Sequence, residues 1–501
     1  MRFVPLLLAG CLLLATASGV QAAPARASGA GVAVVACVSG NSHAAARQGC
    51  EPVPGAGFEG SQSSGLDGVV GLAATGGSLY AVGNRGSAVA QLAAAGHSLT
   101  FAACLTGDKF LDACTQIPGA TSNAPEAPIS QPTATALSPD GRFLYVVSGD
   151  FHGSVIARFA RDPLSGALTY LDCLTGDEEA GPAGPGGCAL VPTATREGYG
   201  SGLYEASGVA IAADGRHLYV TAAGDGSIAS FARDPASGVL SFVECLSSNV
   251  KASGCAPATG GGRRPIFVGI ATPLLSSDGR YLYAAAAEAE TVGVFALGAG
   301  GQLRLASCLT RRDDARPCRP GSQPTGPVAA LSHPGGLVAS PDGRFLYASS
   351  TYGTLVTLRR DRGSGALTAS SCVSSDRADA RRCALTPATP KRSRGTHHAA
   401  LLTGARTPLL RGRAEALVPV RTIDGILRFR RDPRSGALSY RGCASAQLIL
   451  SGDRGPCASL PGATRTGPDS GFYKLTALLP ASGGLVYAAA SGDATVFLLR
   501  P

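Results

Sequence analysis

One unit returns along this chain, and it leaves few folds open. SPDGRFLYV (138–146) is repeated as AADGRHLYV (212–220), SSDGRYLYA (276–284) and SPDGRFLYA (340–348). Three of these copies lead to a second recurring turn, RDPLSG (161–166), RDPASG (233–238) and RDRGSG (360–365), and the same turn returns as RDPRSG (431–436). Internal periodicity of this kind means stacked or radially arranged supersecondary units. In the PDG and ADG turns, Asp bonds the local backbone and Gly supplies positive φ, so a small apolar strand before the turn pairs with the RFLYVV-like strand after it. That second strand is apolar on both faces, with Leu144 and Val146 on one side and Phe143 and Tyr145 on the other, and is expected to be buried between neighbours. A third strand (IASFAR), the RDPxSG turn and a fourth strand (ALTYLDC, VLSFVEC) complete the unit.

The fourth strand ends in a cysteine, at positions 37, 104, 173, 245, 308, 372 and 443. Seven four-stranded antiparallel units at that spacing predict an all-β, seven-bladed β-propeller, whose radial closure leaves little exposed edge. The expected blades cover about 66–106, 130–175, 204–247, 266–310, 333–374, 397–445 and 472–501. The sixth is degenerate, having lost its PDGR turn. The seventh stops after its third strand, and GVAVVACVSG (31–40) is a fourth strand with none before it. The N-terminal strand should therefore close the seventh blade, as residues 31–39, leaving one domain over 24–501.

Each strand-end cysteine has a second one 10 to 15 positions later: Cys37 and Cys50, Cys104 and Cys114, Cys173 and Cys188, Cys245 and Cys255, Cys308 and Cys318, Cys372 and Cys383, Cys443 and Cys457. A zinc site wants short CxxC or His offsets and a redox site wants one special pair, so seven similar pairs predict seven local bridges. The compartment agrees. Residues 1–23 read as a secretory signal peptide cleaved near Ala22 or Ala23. The rival reading is a lipoprotein signal, LAGC (8–11), with Cys11 lipidated. No other window is long and apolar enough to span a membrane. The net charge of +9 is scattered arginine without interleaved aromatics, which argues against nucleic acid. We expect a monomer in an extracytoplasmic space.

The inner strands begin on one face, together with the bridged loops, and converge on an axial funnel. Candidates there are Asp67, Arg196, Tyr204, Glu205, His333, His397, His398 and Lys474. Hydrolysis of a lactone would take Glu205 or His333 as base and Arg196 and Lys474 as partners of the oxyanion. The alternative is that all are solvated loop residues. His397 and His398 are adjacent on a strand and point opposite ways, against a shared metal. Asp150, Asp225 and Asp493 sit in turns and are expected to form them rather than to bind calcium. His152 and His217 are expected to be packed or solvated, and no cofactor motif is present.

The SPDGRFLYV and RDPxSGAL motifs resemble the lactonase-like seven-bladed propellers, which include phosphogluconolactonases and carboxymuconate cyclase-type enzymes. The resemblance covers most of the mature chain and implies the same fold and funnel, with histidine, glutamate and arginine at the mouth. These motifs are scaffold and say little about activity. Where that family has a His-rich PHAH-like start of an inner strand, this chain has Gln131-Pro132-Thr133 and Tyr204-Glu205-Ala206, and only His333-Pro334 keeps the pattern. Two functions follow: an extracellular recognition scaffold presenting its bridged loops to a protein or glycan, or a lactone hydrolase or cyclase acting on a small lactone-like ligand in the funnel. The missing histidines favour the first.

Overall fold

The computed structural model describes residues 31–501, apart from 59–62, 123–125, 151–152, 185, 250–253, 259–264, 312–317, 321–326, 388–399 and 452–454. Seven sheets follow one another around an axis, and each begins with an inner strand that packs against the inner strand of its neighbours. The third blade shows the pattern: Ala206–Ile211, His217–Ala222, Ser227–Arg233 and Leu240–Ser247 pair antiparallel in that order. To these four expected strands every crossover adds a fifth. In the third blade it is Ala256–Pro257, parallel to the fourth strand with Leu246 opposite Ala256. The bridged loops are thus stitched to the sheet edge by backbone hydrogen bonds as well as by sulfur. All seven predicted disulfides form.

The last sheet runs from the inner strand Leu475–Pro480 through Val486–Ala490 and Thr495–Arg500 to Ala33–Asn41 and Glu51–Gly57. Cys37 faces Phe497 and Ser39 faces Thr495 in an antiparallel register, so the N-terminal strand closes the ring as the sequence predicts. In the sixth blade the inner strand shrinks to Leu409–Arg411. Pro408 precedes it without an N–H to donate, which accounts for the interrupted ladder.

The second strands are buried on both faces for a visible reason. Leu144 and Val146 pack with Tyr80 and Val82 of the first blade, while Phe143, Tyr145 and Val147 pack with Leu218 and Val220 of the third. The recurring Tyr and Arg of the two motifs pin adjacent blades together. Tyr347 Oη donates to Gly436 O of the next blade at 2.9 Å and accepts from Arg431 Nε at 2.6 Å. Tyr80 with Arg161, Tyr145 with Arg233 and Tyr283 with Arg360 repeat the arrangement. Tyr347→Phe should therefore leave a buried guanidinium donor and a carbonyl unpaired, at a cost of about 1–3 kcal/mol, read as a lower denaturant midpoint. An unchanged midpoint would mean the pin is ornamental.

Candidate functional site

In six blades the residue just before the inner strand has a left-handed backbone, Gly68, Gln131, Glu205, Gly269, His333 and Lys474, and in the sixth blade Gly404, before the isolated Ala405–Val420 bridge, does the same, with φ between 43° and 76°. At Gly68, Glu205, Gly269, His333, Gly404 and Lys474 the carbonyl of this residue accepts the N–H that opens the turn between strands two and three, as in Ala223 N to Glu205 O at 2.8 Å and Ser491 N to Lys474 O at 3.1 Å. Three blades meet the positive φ with glycine. The other four hold a non-glycine residue in a conformation that is uncommon for it, a cost of order 1 kcal/mol each. Three of those four, Glu205, His333 and Lys474, are residues the sequence nominates.

Immediately after comes a collar. In six blades the pairing of inner and second strands shifts register one or two residues in. Such a bulge re-aims a side chain, and the residues at it, Val70, Thr133, Ser207, Thr272, Gly335 and Thr476, line the axis. Four of their hydroxyls latch onto the next blade: Thr133 to Ala206 O (2.8 Å), Ser207 to Ile270 O (2.6 Å), Thr272 to Gly335 O (2.7 Å) and Thr476 to Val69 O (3.0 Å). The sixth blade places Arg406 at this level instead.

Above the collar lies an axial cavity of about 620 Å³, to which all seven blades contribute. Its charged lining is Arg85, Arg406, Arg421 and Lys474, and none of its fifteen lining residues is Asp, Glu or His. Arg85 donates to Ser491 O at 3.1 Å, and Lys474 Nζ lies 4.7 Å from the Tyr473 ring centroid. Arg406 Nε is buried without a hydrogen-bond partner among the described residues. Burial, followed by the nearby Arg421 charge, holds the Arg406 guanidinium below its ordinary pKa. A desolvated cation beside a second cation is costly until an anion arrives.

Four buried aspartates hold the backbone around the starts of the inner strands. Asp424 accepts Lys474 N at 2.7 Å and Gln447 Nε2 at 2.8 Å. Asp493 accepts Asp469 N and Tyr473 N, both at 3.0 Å, and Asp225 accepts Gly200 N, Gly202 N and Tyr204 N. Asp225 and Asp493 thus bind the loop arriving from the preceding crossover, a longer-range task than shaping their own turns. Asp67 is buried and accepts Ser64 N at 3.3 Å. Burial raises Asp424 and Asp493 to about 6, and it also raises Asp67 and Asp225. Carboxyls raised in the fold bind more protons there than in the unfolded chain between about pH 4 and 6, so stability falls as pH rises through that window. The melting temperature should accordingly be higher at pH 5 than at pH 7. A flat or opposite profile would contradict this placement of the carboxyls.

The remaining nominated residues are dispersed. Arg196 is in the crossover of the second blade, largely exposed, 3.6 Å from Glu179 and outside the cavity lining. Glu205 lies near Glu288 and Asp225, and burial followed by those charges raises its pKa. Tyr204 meets Tyr199 edge-on at 5.4 Å. His333 sits with Nδ1 3.5 Å from Glu290, its ring 4.3 Å from exposed Tyr352. Lys474 alone of the four proposed catalytic residues lines the cavity. His217 packs on Gly301 of the next blade. Asp150 ends a second strand. Cys11, residues 1–23, His152, His397 and His398 lie outside the described residues. Sequence reasoning missed Arg85, Arg406 and Arg421. Arg85 and Arg421 belong to turns between strands two and three, a ring it did not consider, and Arg406 follows Gly404 in the blade whose repeat is eroded.

No family model matches the chain, and no curated protein matches it. Among solved structures it is similar to a periplasmic gluconolactonase of Pseudomonas aeruginosa, at 19% identity and TM-score 0.45 over 74% of this chain and 84% of that one. The fold is an all-β, seven-bladed propeller. A protein of Bacteroides uniformis provisionally assigned as a 6-phosphogluconolactonase gives 16% identity and TM-score 0.44 over 84% and 88% of the two chains. A functionally unknown protein from Desulfotomaculum acetoxidans gives 14% and 0.44 over 74% and 84%.

Proposed function

We propose that this lactonase-like propeller is an extracytoplasmic binding protein that takes a small anionic ligand in its axial cavity. The observation that carries the reading is Arg406, whose buried Nε lacks a partner among the described residues, beside Arg421 in a cavity whose described lining residues include no Asp or Glu. Arg85 and Lys474 supply further cations, and the collar hydroxyls of Thr133, Ser207 and Thr272 are held by carbonyls of the next blade, so the rim is rigid. A preorganised cationic cup favours carboxylate or phosphate recognition. Turnover asks in addition for a base at the ligand. Glu205 and His333, which the lactonase alternative needs as bases, are outside the cavity lining.

Calorimetry with citrate and with inorganic phosphate tests the reading. Binding should weaken at least tenfold in Arg406→Ala, the loss of a charge-assisted hydrogen bond of about 1.5–3 kcal/mol, with partial retention in Arg406→Lys. Absence of binding to either anion, or an Arg406→Ala protein that binds equally well, would overturn it. Lactone hydrolysis lost in Glu205→Ala or His333→Ala would replace it with the enzymatic alternative.

A further inference from the structure

The face opposite the cavity carries a second cationic feature. There the turns joining strands one to two and three to four of the fifth and sixth blades line three clefts of about 500, 590 and 360 Å³. Arg344 borders the first and third, and Pro433 the second and third, so they run together as one groove. Exposed arginines follow it: Arg359, Arg362, Arg344, Arg413, Arg434 and Arg430.

The repeat itself shows that these arginines are not needed to make the turns. Where the sixth blade has Arg430 and Arg434 around its RDPxSG turn, the second has Ala160 and Leu164 and the third Ala232 and Ala236, and all three turns close with the same Asp-to-amide bonds. The acids of the groove are committed. Asp361 accepts Ser364 N at 2.7 Å, Asp432 accepts Arg434 N at 2.7 Å, and Asp342 lies 3.6 Å from buried Arg431. Arg362 and Arg344 donate to the backbone carbonyls of Asp342 and Arg434, which splays their guanidinium groups along the groove.

We propose that this groove docks a linear acidic polysaccharide, a chain with a carboxylate on successive sugars. A row of guanidinium groups along a cleft matches an extended polyanion. A membrane surface would want apolar anchors beside the charge, and none of the exposed large hydrophobic residues lies on these turns. A nucleic-acid strand would want stacking rings, and the groove's one aromatic, Phe345, is buried.

The test is binding of oligogalacturonate to the full chain at low salt. Arg359→Ala with Arg430→Ala, which installs the alanine that the second and third blades carry, should weaken binding at least tenfold, and adding Arg362→Ala and Arg434→Ala should abolish it. Arg142→Ala with Arg216→Ala, on the same face of the second and third blades, should leave it unchanged. The proposal is overturned by no binding, by binding indifferent to the groove variants, or by tighter binding to phosphatidylglycerol vesicles or single-stranded DNA than to the polysaccharide.

Discussion

A chain lacking residues 24–40 is expected to lose its native fold. The strand Ala33–Asn41 is not an appendage, since it lies between Thr495–Arg500 and Glu51–Gly57 in the closing sheet. Its removal uncovers the paired edge of Val496, Phe497, Leu498 and Leu499, each now no more than 2% exposed. It also removes the partner of Cys50 and the Ser39–Thr495 hydroxyl pair at 2.7 Å. Each such apolar side chain is worth about 1.5–3 kcal/mol when fully buried, and an open strand edge recruits other chains. The expected result is a protein that elutes as oligomers or aggregates and melts far below the intact chain. A synthetic peptide of residues 31–41 should return it to the elution volume and melting of the intact chain, which separates loss of closure from general misfolding. A truncated protein that elutes and melts as the intact chain does would sink the closure argument.

The second large effect is that of reductant. The seven bridges close loops of 10 to 15 residues, and a bridge over such a loop is worth about 3 kcal/mol in the chain-entropy model. Taken together they exceed the 5–15 kcal/mol by which a typical domain is stable. Full reduction in mild denaturant should therefore unfold the chain under conditions where the oxidised protein stays native. Replacing one pair, Cys245 and Cys255, by alanine should cost about 2–4 kcal/mol, with the short parallel strand Ala256–Pro257 freed first. An oxidised and a reduced protein with the same denaturant midpoint would refute this division of labour.

The fold was legible because its determinants are local and repeated. Turn residues, strand alternation and one cysteine pair per unit each recur, so an ambiguity in one blade is resolved by the other six. The fifth strand was missed, because three copies such as Ala256–Pro257 are only two residues long and the other four, EPVPGAG, TQIPGAT, ALVPTAT and ASLPGAT, carry Pro, three of them with Gly, and so read as loop rather than strand. The site was half legible. Glu205, His333 and Lys474 stand at one recurring left-handed position, which the start of each inner strand marks. Arg406 could not be placed, since the blade around it has lost its turn motif and its register comes only from the Ala405–Val420 bridge. Asp225 and Asp493 look like turn residues in sequence, and only the folded chain brings the amides of the arriving loop to them.

The Tyr–Arg pins join blades one to two to three and four to five to six, but Leu297 and Ala94 replace the arginine in the fourth and first blades and Leu417 the tyrosine in the sixth. The ring is thus two fastened trios that meet at one unpinned seam between the third and fourth blades and, on the other side, through the seventh blade. Arg421, Lys474 and Arg85 come from the sixth, seventh and first blades and so straddle both sides of the seventh. An anion held by all three would act as a clasp on the two unpinned seams that flank the seventh blade, and occupancy of the axis would register as resistance of that arc of the ring to opening.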